Sequence, residues 1–82
     1  MTDQEVQDSI LGTLAQWAER ADVSGEVPPM DAETLMYEAG IKPADFERNC
    51  AELLRSGLIQ QTEDGGFEVT PMGLQENRRR SL

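Results

Sequence analysis

The stretch from Ile41 to Thr70 leaves this chain least freedom. Within it, Pro43-Ala44-Asp45-Phe46 opens a helix: proline at the first helical position forfeits an N–H that has no partner there, and Asp45 puts negative charge in the first turn, where the helix dipole favours it. Phe46, Cys50, Leu53 and Leu54 recur at helical spacing and form one apolar stripe. Gly57 supplies the left-handed residue that ends the helix. Leu58-Ile59-Gln60-Gln61-Thr62 then reads as a strand, Glu63-Asp64-Gly65-Gly66 as a tight turn, and Phe67-Glu68-Val69-Thr70 as the returning strand. A helix of about residues 43–56 followed by a hairpin of about 58–70 is the expectation.

Earlier elements are marked as clearly. Thr2-Asp3-Gln4-Glu5 has the form of a capping box, and Val6, Ile10, Leu11, Leu14 and Trp17 line one face of a helix of about residues 3–21. Gly12 inside it costs roughly 1 kcal/mol relative to alanine and suggests a close helix approach. The helix is expected to stop before Asp22-Val23-Ser24-Gly25. From Ser24 to Met30, Pro28-Pro29 forbids helix and confines any strand to a brief edge. Asp31 is an N-cap for a second helix of about residues 32–39, with Leu35, Met36 and Ala39 facing inward and Gly40 as its stop. About three residues then separate it from the third helix, which suits a helix-turn-helix. Thr70-Pro71 starts a short last helix of about residues 71–80, with Arg78-Arg79-Arg80 at its C-terminal end, where cations suit the dipole, and Ser81-Leu82 frayed. The 82 residues are expected to form one domain, α+β but mostly α.

Taken alone, the net charge of −9 argues against a polyanionic partner. The charge is uneven, however. Residues 1–40 carry nine acids against Arg20, whereas residues 41–82 carry seven against Lys42 and five arginines. Exposed charges beyond about 8 Å are largely screened at physiological salt, so the local patch outweighs the total.

From Ala32 to Gly73 the chain resembles the winged helix-turn-helix superfamily of small bacterial and archaeal regulators. The residues that carry the likeness are Leu35-Met36-Tyr37-Glu38-Ala39-Gly40-Ile41, then Phe46, Leu53-Leu54 and Gly57-Leu58-Ile59, and finally Asp64-Gly65-Gly66-Phe67-Glu68-Val69-Thr70-Pro71-Met72-Gly73. The resemblance implies a three-helix core, a β-hairpin wing and a short C-terminal helix. It places the brief edge strand before Asp31 beside the hairpin. It also implies that the third helix enters the major groove of double-stranded DNA while the wing touches the backbone. Carried over by position, Lys42, Ala44, Arg48, Ala51 and Arg55 are the candidate DNA-binding residues, joined by Arg78, Arg79 and Arg80 if the end of the chain reaches DNA. At 100° per residue, Ala44, Arg48, Ala51 and Arg55 fall almost opposite the apolar stripe, and two arginines flanked by alanines permit close approach.

The competing features are equally specific. Glu52 stands four residues after Arg48 and three before Arg55, within reach of both, which is also the pattern of a solvated helix face with ordinary ion pairs. The wing tip is Glu63-Asp64, which would repel phosphates. Two functions from different classes emerge: a DNA-binding transcriptional regulator, expected as a homodimer, or an acidic module that docks a basic protein partner or mimics DNA. The scarcity of lysine among sixteen acids is also the composition of a salt-adapted protein. Catalysis is not expected. With no histidine there is no imidazole acid–base pair and no His-containing zinc site. The single Cys50 falls on the apolar stripe, and no glycine-rich phosphate loop or EF-hand spacing is present, so neither metal nor cofactor is expected. No apolar run approaches the ~20 residues of a membrane span, and the acidic N-terminus is unlike a signal peptide, so a cytoplasmic location is expected.

Overall fold

The computed structural model of the chain describes residues 2–21 and 28–80. Its elements run in the order α1 (Asp3–Ala21), α2 (Ala32–Ala39), α3 (Pro43–Arg55), β1 (Ile59–Gln61), β2 (Phe67–Val69) and α4 (Pro71–Arg80). The expected loop after α1, over Asp22 to Val27, lies outside the described residues, as does the expected fraying of Ser81-Leu82.

Several helix ends rest on capping chemistry that the sequence supplies. Glu5 N–H donates to the Thr2 hydroxyl at 3.2 Å while Thr2 N–H donates back to the Glu5 carboxylate, a reciprocal capping box. Asp31 caps α2 by accepting from Thr34 N–H. Two helices end alike. Gly57 takes a φ of 76°, so that its N–H reaches Leu54 O and that of Leu58 reaches Leu53 O. Gly40, at φ 68°, closes α2 with the matching bonds to Tyr37 O and Met36 O. Only a left-handed residue folds the chain back far enough to satisfy the last carbonyls in this way.

α1 is the spine. Its Val6, Ile10, Leu11, Leu14 and Ala15 are buried, and α2, α3 and α4 all pack on it. Met30, Leu35, Ile41, Phe46, Cys50, Leu53, Ile59 and Phe67 complete the core. Full burial of a side chain such as Leu53 is worth about 1.5–3 kcal/mol, which is why this face of α3 fixes its orientation. Phe46 and Phe67 meet edge to face with centroids 5.7 Å apart, which ties α3 to the hairpin.

The hairpin is antiparallel, with Ile59 opposite Val69 and Gln61 opposite Phe67. Both strands are one residue or more shorter than expected, while single bonds from Thr62 N–H to Gly66 O and from Thr70 N–H to Leu58 O carry the pairing past their ends. Met30 forms a one-residue antiparallel bridge to Phe67 through bonds of 3.0 and 2.8 Å, so the segment before Asp31 meets the edge of the hairpin by this single bridge, with no strand of its own among the described residues. Trp17 Nε1 donates to Pro28 O at 2.7 Å and anchors that segment to α1. Three helices, a hairpin and a short C-terminal helix in this order are consistent with a winged-helix arrangement.

One side chain of the α3 stripe differs from expectation. Asn49 is 1% exposed, whereas Leu54 is only half-buried. The buried stripe is thus turned toward Asn49, whose polar atoms find partners in α1.

Candidate nucleic-acid interface

With Phe46, Asn49, Cys50 and Leu53 turned inward, geometry forces Ala44, Arg48, Ala51 and Arg55 outward, and all four are exposed. Lys42, the N-cap residue of α3, is exposed as well and has no ion-pair partner among the described residues. These five candidates therefore share one helix and its entry. On this face Ala51 lies between the two long arginines and Ala44 lies one turn before Arg48.

Each arginine is held by a carboxylate, and not by the same one. Arg55 pairs with Glu52 on its own helix. Arg48 ignores Glu52 and spans instead to α1, where its Nη2 donates to Asp3 at 2.6 Å, with a second contact to Asp45 at 3.2 Å. The expected sharing of Glu52 between the two arginines is replaced by this split. The Arg48 guanidinium and the Asn49 amide hold the Asp3 carboxyl below its ordinary range, and Asp3 in turn raises the Arg48 pKa. Both side chains of that pair stay more than half exposed, so solvent screens it and the ions can exchange partners.

Beneath this exposed pair lies a buried amide. Asn49 Nδ2 donates to Asp45 O at 2.9 Å and to Asp3 Oδ1 at 3.3 Å, while its Oδ1 accepts from Gln7 Nε2 at 3.0 Å. Both amide hydrogens and the carbonyl oxygen are engaged, as a buried amide requires. Sequence reasoning passed over Asn49, although its place three residues after Phe46 and four before Leu53 puts it within the stripe.

The α4 arginines stand elsewhere. Arg80 is bound to Asp8 of α1 at 2.7 Å and to Glu76 at 3.0 Å, and Arg79 is bound to Glu76 at 2.6 Å. Asp3, which receives Arg48, and Asp8, which receives Arg80, lie about 140° apart around α1. Arg78 borders a groove of about 310 Å³ beside Glu19, Glu68, Val69 and Leu74, and has no ion-pair partner among the described residues. The fold therefore does not join Arg78, Arg79 and Arg80 to the outer face of α3. The wing tip presents Glu63 and Asp64, both exposed.

No family model, curated protein or solved structure matches the chain. Cys50 is buried, and burial pushes its thiol up to about 11, far from a reactive thiolate at neutral pH. Among the described residues, no three cysteine, aspartate or glutamate side chains are grouped to hold a metal ion. No described helix is long and apolar enough to cross a membrane.

Proposed function

We propose that this chain is a winged-helix protein of the helix-turn-helix superfamily that binds double-stranded DNA as a transcriptional regulator, with α3 as the reading helix and no catalytic role. One observation carries the reading: Ala44, Arg48, Ala51 and Arg55 stand exposed together on the face of α3 opposite its core stripe. The arginines' present carboxylate partners are solvent-exposed and exchangeable, and a phosphate or a guanine edge accepts the same bidentate donors. A second copy would double the few contacts one domain offers, so the regulator is proposed as a homodimer.

An anisotropy titration of labelled mixed-sequence duplex at several salt concentrations tests this. Two or three phosphate contacts predict a slope of about −2 to −3 in log affinity against log salt, and Arg48→Ala with Arg55→Ala is expected to abolish binding. Retention of full affinity by the double variant would overturn α3 as the reader.

A second reading is favoured by a different observation. Asp3, Asp45, Glu52, Glu63 and Asp64 crowd the same face and wing, outnumbering Lys42, Arg48 and Arg55. An acidic protein-interaction module, docking a basic partner or imitating DNA, fits that balance. Absence of duplex binding even at low salt, with co-purification of a basic protein, would decide for it.

A further inference from the structure

A carboxylate and a phosphate ask for the same hydrogen-bond donors, and α3 offers a seat for one. The Arg48 guanidinium and the Asn49 amide converge on a single atom, Asp3 Oδ1, at 2.6 and 3.3 Å. The seat differs from an ordinary surface ion pair because one wall is rigid. Asn49 is 1% exposed and locked by Gln7 and by Asp45 O, so its second amide hydrogen keeps its aim whether or not Asp3 is there. The occupant also comes from far away in sequence, on the first turn of α1, so its presence depends on the folded helix and not on local chain geometry.

We propose that Arg48 and Asn49 form a phosphate-binding seat on α3 that the Asp3 carboxylate fills in the free protein, so that Asp3 acts as an internal competitor setting the affinity and salt dependence of the interface. The proposal deepens the reading of α3 as a DNA surface and rests on it for the identity of the natural ligand; the seat itself does not. When Asp3 leaves, Arg48 retains only Asp45 at 3.2 Å, and one Asn49 hydrogen loses its acceptor. An arriving phosphate oxygen restores both bonds. The competitor weakens binding without altering which face binds.

The test uses the full chain with Asp3→Ser, which empties the seat, and Asp3→Asn, which keeps the side chain's size and removes its charge. Asp64→Ser is the control, deleting an equal charge at the wing tip without freeing an arginine. In the first arm, inorganic phosphate is titrated while the Asn49 side-chain amide and Arg48 Nε–H resonances are followed. Asp3→Ser is expected to show saturable shifts of both at about fivefold lower phosphate than the parent chain or Asp64→Ser. Unmoved resonances in both folded Asp3 variants would overturn the seat. In the second arm, duplex DNA is titrated. Asp3→Ser is expected to bind about fivefold more tightly at low salt, with a slope steeper by about one, and Arg48→Ala in that background is expected to cancel the gain. An equal gain from Asp64→Ser would overturn the competitor role and leave only bulk charge. Phosphate shifts in Asp3→Ser with no duplex binding by any variant would keep the seat and remove the DNA reading.

Discussion

At the scale of single residues, two glycines with the same symbol carry opposite predictions. Gly73, in the first turn of α4, lies against the backbone where α3 hands over to β1. A Cβ there would sit 1.9 Å from Leu58 O and 2.8 Å from Val69 Cγ2. Backbone cannot move aside as a flexible side chain can, so Gly73→Ala is expected to cost at least about 3 kcal/mol, read as a lowered urea midpoint. Gly12, on α1, faces α4, yet a Cβ there would meet only Asn77 Oδ1 at 3.6 Å, an ordinary contact. The close approach expected from its position is therefore not tight enough to need glycine. Gly12→Ala is expected to stabilise by up to about 1 kcal/mol, raising the thermal midpoint by several degrees. Spacing alone could not separate these two glycines, because the difference is made by what lies across the gap. Asn49 shows the converse: its spacing marks it as inward-facing, but its polarity sets it apart from the hydrophobic pattern. Its burial is tolerated only because the Gln7 and Asp3 side chains, more than forty residues away, meet its amide.

At the scale of elements, most boundaries were written locally, in caps and stops such as Thr2 with Glu5, Asp31, Gly40 and Gly57, and these were legible from the sequence. Pairings between elements were less so, since an arginine's partner depends on which helix passes beside it. Arg48 chose Asp3 over its neighbour Glu52, and Arg80 chose Asp8. In α4 such pairing has a consequence for acid stability. Glu76 accepts from Arg79 and Arg80, which hold its carboxyl down to about 2 from an ordinary 4.5. A carboxyl whose folded pKa is depressed contributes stability that is full above the unfolded value and lost as pH falls toward the folded one. Unpairing Glu76 also releases Arg80, one of the ties from α4 to Asp8 of α1. Protection of the α4 amides, taken relative to the intrinsic exchange rate at each pH, is expected to fall between about pH 4.5 and pH 2 before that of Leu53 in α3. Glu76→Gln is expected to raise α4 exchange at neutral pH and flatten its acid dependence. An α4 that opens only together with α3 in the parent chain would show the arginine ties to be idle.

At the scale of the whole molecule, charge is the variable that joins stability to function. The described arginines of α3 and α4 are largely matched to carboxylates, while Glu33, Glu38, Glu47, Glu63 and Asp64 stand exposed, and the total is −9. The molecule measures 34 × 31 × 21 Å. At 0.01 M salt the Debye length of about 30 Å matches those dimensions, so each carboxylate is repelled by nearly all the others. At 1 M it falls to about 3 Å, and only direct pairs still interact. Salt weakens the ion pairs too, but they are few, short-ranged and exposed, whereas the repulsion is summed over the entire surface. The thermal midpoint is therefore expected to rise by several degrees from about 0.01 to about 1 M sodium chloride, with potassium chloride giving the same curve because screening depends on ionic strength. A falling midpoint would mean that the arginine pairs outweigh the collective repulsion. The DNA binding proposed for α3 would be governed by the same length. At physiological salt, where screening sets in at about 8 Å, a phosphate approaching α3 responds to Arg48, Arg55 and the carboxylates that hold them, and only faintly to the rest of the −9. Acidity of the chain as a whole then limits its stability more than it limits what α3 can bind, and the two are separable by measuring both midpoints and affinities along one salt series.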